Sequence, residues 1–141
     1  AWAEQFIVPD YRPEEVGTDA AVAQPATGTK FGVVVRHNDH SLSADRTKKN
    51  GGKGKGFTAE GLIMSALATA ATQAIKDAGK RLALDDVNGS ITQTGPASFE
   101  RRIELKGNLS ASEESTLRSA AKDTDVERMI GNVTIVDVDA H

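Results

Sequence analysis

The chain has 141 residues, enough for one domain with its own core and too few for two of ordinary size. Its 38% hydrophobic and 26% charged residues exclude disorder throughout, and a formal net charge of −3 gives no general attraction to nucleic acid or an anionic membrane. With no cysteine, it has no disulfides, no thiolate metal ligands and no thiol nucleophile.

The most apolar stretch, residues 62–71, is too short and too interrupted by Ser65 and Thr69 to span a bilayer. The first residues lack a basic segment followed by an apolar run, so no secretory signal is read and a cytoplasmic location is expected. A start at Ala1 without methionine is what a processed chain would show.

Residues 1–26 carry five acids, one arginine and three prolines with little periodicity, and are read as an N-terminal arm; residues 27–141 form the expected domain. Three of the six aromatic residues, Trp2, Phe6 and Tyr11, stand in that arm. Rings of that size require a docking place, either on this chain's core or on a second subunit.

Alternation through Phe31, Val33 and Val35 predicts a strand over residues 30–36. Asn38-Asp39 is expected to turn it into a second strand at residues 41–44. Five basic residues and four glycines fill residues 46–56, a composition expected of a mobile loop. Thr58 then offers an N-cap oxygen, Glu60 a first-turn carboxylate, and Leu62, Ile63, Leu67, Ala71, Ile75 and Ala78 recur at helical spacing. A long central helix over about residues 59–82 follows, with Gly79 as an earlier stop.

Two strands are expected over residues 86–94 and 99–105, joined through Gly95-Pro96, with Phe99, Ile103 and Leu105 on one face. Ser110 and Glu113 have the spacing of a capping box, opening a helix to about Lys122, followed by a short helical turn at residues 126–130. A strand over residues 133–138 is expected to close the chain. Hairpins beside helices give an α+β class with antiparallel strands, not a doubly wound parallel sheet.

Candidate chemistry is sparse. The run Gly51-Gly-Lys-Gly-Lys-Gly56 precedes a helix, the setting in which backbone N–H groups hold phosphate. However, Lys55 is followed by Gly56 and Phe57 where a P-loop needs Ser or Thr. His37 and His40 flank a turn and would face each other, but no third ligand is specified, so they are weak metal candidates beside the simpler reading of polar surface. Glu60 is the one acid adjoining a strongly apolar segment; it is either an acid/base candidate or a residue that compensates the helix dipole.

Asp45, Gly51-Gly52 and the stretch Gly56-Phe-Thr-Ala-Glu60-Gly-Leu-Ile-Met-Ser-Ala-Leu-Ala-Thr-Ala70 resemble the OsmC/Ohr family of osmotically inducible and organic hydroperoxide resistance proteins. The likeness runs over roughly residues 27–138, with Gly107-Asn-Leu-Ser-Ala and residues 120–126 matching later segments. It implies an α+β fold in an intertwined homodimer, whose pockets reduce organic hydroperoxides through a thiolate. Here Ala70 falls at the family's peroxidatic cysteine, Thr124 (with Asp125 the alternative) at its resolving cysteine, and Ala59 at its helix-start proline.

Two-electron reduction of a peroxide needs a donor that a methyl group and a hydroxyl do not supply, so no thiol peroxidase activity is expected. Met64 and Met129 oxidise to sulfoxides that other enzymes must restore, and are poor substitutes. The resemblance leaves a pocket lined by Glu60, Met64, Leu67, Ala70 and Thr124, for a small apolar or acyl-like ligand. The competing readings are an enzyme of another class using Glu60 or a histidine as acid/base in the same pocket, and an oxidative-stress-related peroxidase relative with unrecognised chemistry; a further one is recruitment of an anionic partner by the lysine-rich loop. No cofactor, nucleic acid or membrane partner is expected.

Overall fold

The computed structural model describes residues 19–138, and the chain divides into two compact units at the Leu62–Ile63 bond. Trp2, Phe6 and Tyr11 lie outside the described residues, as do Asp139 and His141.

The first unit is built on a three-stranded antiparallel sheet, β1 (Ala21–Pro25), β2 (Val33–His37) and β3 (His40–Ala44), in that spatial order. The two-residue turn between β2 and β3 is Asn38-Asp39, as the sequence indicates, with Asn38 at φ 53°, a conformation its short polar side chain tolerates. Val34 is fully buried against Ala26, while its neighbours Val33 and Val35 point to the other face. The arm reading of residues 1–26 needs correcting at its end, because Ala21–Pro25 is a strand. It pairs from Ala21 opposite His37 to Pro25 opposite Val33, and Arg36 Nη1 donates to Gln24 Oε1 at 3.2 Å. Proline is tolerated there because β1 is an edge strand.

The segment expected to be a mobile loop, residues 46–56, has a defined path. Asp45 is buried at the end of β3, and its carboxylate accepts backbone N–H bonds from Arg46 (2.7 Å), Lys53 (3.0 Å) and Lys55 (3.3 Å). A 3-10 turn at Lys48–Asn50 starts the loop, and Phe57 ends it by pairing back to β3, its N–H donating to Ser43 O at 3.0 Å. Gly52 is obligatory, because a Cβ there would sit 2.0 Å from the Arg46 carbonyl oxygen. The Arg46 guanidinium stacks 4.0 Å from the Phe31 ring centre. Composition alone misses this order, since one buried carboxylate upstream supplies the acceptors that the loop's own side chains lack.

Helix α1 (Ala59–Ala78) begins where Thr58 Oγ1 accepts from Gly61 N at 3.0 Å. It ends at Gly79, short of Leu82, and Gly79 N donates to Ile75 O at 2.8 Å. In the second unit the buried stripe of α1 is Leu67, Ala71 and Ile75, at the 3.6-residue period.

Strands β4 (Leu84–Gly95) and β5 (Ser98–Gly107) form one antiparallel hairpin, longer at both ends than the alternation indicates, with Val87 opposite Leu105, Gly89 opposite Ile103 and Ile91 opposite Arg101. Gly89 is where α1 meets this sheet: a Cβ at that position would lie 2.6 Å from Thr72 Oγ1. Helix α2 (Ala111–Ala120) opens with the expected capping box, Ser110 Oγ accepting from Glu113 N and Glu113 Oε1 from Ser110 N. Its Leu117 joins Ala71, Ile75 and Ala121 in the core of the unit. Helix α3 (Asp125–Gly131) follows, capped by Thr124.

The strand expected over residues 133–138 is not formed; these residues have no regular structure, and Ile135 and Val138 are 80% and 83% exposed. In an extended conformation Val133 and Ile135 would face one side and Val136 and Val138 the other, so no single apolar face fixes a register.

Candidate functional site

Glu60 is exposed in the first turn of α1, where a carboxylate complements the helix dipole. Met64 and Ala70 are half-buried on the same helix, and Leu67 is buried. Thr124 is buried and caps α3, its Oγ1 accepting from Glu127 N at 3.2 Å. Asp125, the alternative to Thr124, is exposed and pairs with Arg128.

His37 and His40 are cross-strand partners at the β2–β3 turn, but His37 Nδ1 donates to the Ala20 carbonyl at 3.0 Å. Among the described residues no group of three His, Asp or Glu side chains is placed to hold a metal ion. Nor does the glycine-lysine loop present a phosphate cradle. The N–H groups of Lys53 and Lys55 are taken by Asp45, and those of Gly51, Gly52 and Gly54 by the carbonyls of Lys48, Thr47 and Arg46.

The second unit does contain an apolar cleft of about 460 Å³, bounded by α1, the β4–β5 hairpin and α3. Leu67, Ile91, Ala97, Phe99 and Ile130 give it a hydrocarbon wall, and Leu67 is the one sequence-chosen pocket residue among its lining. Into that wall is set an ion pair, Arg101 Nη2 to Glu127 Oε1. The pleat explains the placement: Arg101 lies opposite Ile91 and two residues from Phe99, so all three share one face of the hairpin. The Arg101 side chain is only 24% exposed against 45% for Glu127, and Arg101 Nε is buried with no acceptor.

Neither charge stands out in the sequence as a site residue. The signal for Arg101 was an arginine on the apolar face of Phe99-x-Arg101-x-Ile103-x-Leu105; Glu127, twenty-six residues away, had none. A second cleft of about 410 Å³ at the end of α1 sets Leu82, Leu84 and Val87 beside Lys76, Lys80, Asp85 and Asp86.

No protein-family model and no curated protein matches the chain. Solved structures do match. A crystal structure of an osmotic stress induced and detoxification response protein from Psychrobacter arcticus 273-4 superposes with a TM-score of 0.68 at 15% identity, over 80% of this chain and 88% of that one. An OsmC like protein from Mycoplasma pneumoniae gives 0.59 at 16% identity, covering 81% and 87% of the two chains. An organic hydroperoxide resistance protein OsmC from Legionella pneumophila gives 0.53 at 19% identity, covering 82% and 90%. Identities this low carry architecture and not activity. With its antiparallel strands, long helix α1 and element order, the chain has the OsmC-like fold.

Proposed function

We propose that this chain is a non-catalytic protein on the OsmC-like fold, a homodimer that binds a small apolar or acyl-like molecule and has no thiol peroxidase activity. The observation that carries this reading is an apolar cleft of about 460 Å³ in a chain with no cysteine. That volume falls in the range of small-molecule sites, roughly 300–1,000 Å³. Ala70 and Thr124 stand where the resemblance puts the two redox cysteines, and neither side chain donates electrons. Glu60, Met64, Leu67, Ala70 and Thr124 remain the proposed remnant of the family pocket. Exposed Ile63, Phe99, Met129 and Ile130 in the second unit support a second copy as the surface that covers them.

Thermal unfolding with rising concentrations of 1-octanol tests ligand binding, because a molecule that binds only the folded state stabilises it by about 2.7 kcal/mol at 100 times its Kd. A saturable rise in Tm is expected, together with twice the chain mass in sedimentation equilibrium. No rise with either 1-octanol or octanoate would contradict the binding reading, and a single-chain mass would contradict the dimer.

A further inference from the structure

The Arg101–Glu127 pair is an unusual object to find in a hydrocarbon-walled cleft, and its two halves are unequally placed. Arg101 is about three-quarters shielded from water, its guanidinium offers five N–H donors, and Nη2 alone has an acceptor. Glu127 is nearly half exposed and rides on α3, a seven-residue helix that buries none of its side chains. If the pair opens, Glu127 gains water while Arg101 is left a shielded, unpaired cation. The cleft therefore presents a cation with unmet donors.

Resting on the ligand-binding reading above, we infer that the cleft takes a molecule with an apolar tail and a single carboxylate head, the head displacing Glu127 from Arg101. A carboxylate can accept two parallel N–H bonds from a guanidinium where Glu127 accepts one. The tail then lies along Leu67, Ile91, Phe99 and Ile130. The same balance selects the head group. A cationic head would pair with the better-solvated Glu127 and strand Arg101, and a doubly charged phosphate would leave one charge uncompensated beside Glu127. A monoanion is the head that exchanges one charge for one.

Octanoate and 1-octanol share a tail and differ in the head, so their Kd values at pH 7 by isothermal titration calorimetry separate the two ideas. The intact protein should bind octanoate about tenfold more tightly than 1-octanol. Arg101→Met should weaken octanoate far more than 1-octanol and bring the two probes to the same level. Glu127→Gln, which removes the competing carboxylate and keeps the side chain's size, should tighten octanoate several-fold. Equal binding of the two probes by the intact protein would overturn the inference while sparing the binding reading. So would equal weakening of both by Arg101→Met, or weaker octanoate binding by Glu127→Gln. Failure of both probes to bind would overturn the binding reading itself. Should Arg101→Met not fold, the intact protein and Glu127→Gln still decide the outcome.

Discussion

Asp45→Ala should lower the stability of the protein by about 3–5 kcal/mol: hydrogen bonds to a charged group contribute about 1.5–3 kcal/mol each, and the three that lose this acceptor share one carboxylate, so their contributions do not add in full. Urea unfolding measures the loss. Asp45→Asn should recover part of it, because one amide oxygen remains, but its NH2 then faces a backbone N–H. The charge also sets a pH dependence. Burial pushes the Asp45 carboxyl up, but the N–H groups of Lys53, Arg46 and Lys55 and the Lys53 ammonium pull harder, leaving it below its ordinary value of 3.8. A carboxyl that releases its proton more readily folded than unfolded adds stability that is complete above 3.8 and is lost as the pH falls below it. The intact protein should therefore lose more stability than Asp45→Asn does over that acid range. Equal slopes for the two would show that Asp45 is not the anchor.

Leu117→Ala is the other large effect, with an expected cost near the top of the range of about 2–5 kcal/mol for such truncations. Leu117 has no exposed surface, and Ala71, Ile75 and Ala121 surround it with Leu84 and Leu105 packed behind. These neighbours come from α1, from both strands of the β4–β5 hairpin and from the end of α2, so no single element can shift to fill the space. Glu104→Ala, on the exposed face of β5, should stay within about 0.5 kcal/mol. A Leu117→Ala cost as small as that of Glu104→Ala would mean that this core is not the one holding the unit together.

Features written in short-range chemistry were legible in the sequence. Asn38-Asp39 specifies its turn, Thr58 and Ser110 cap their helices, and the spacing of Leu67, Ala71 and Ile75 marks the buried side of α1. Features set by distant partners were not. β1 is an Ala-Val-Ala-Gln-Pro segment with little strand propensity, and it exists because Val33–His37 offers it a ladder. The loop at residues 46–56 looks floppy by composition until Asp45 is seen to bind its backbone from inside. Residues 133–138 are rich in β-branched residues yet have no partner strand among the described residues.

The candidate site divides in the same way. Leu67 could be chosen from helical periodicity, whereas Arg101 and Glu127 become a pair only when the hairpin and α3 come together. Thr124, chosen by resemblance, is occupied as the cap of α3, a role any N-cap threonine fills without redox chemistry.

Steady-state consumption of cumene hydroperoxide by the purified protein with dithiothreitol tests the account at its centre. The predicted rate is that of the reductant alone, unchanged by protein concentration and matched by a boiled sample. A rate that rises in proportion to the folded protein, above the boiled control, would contradict it.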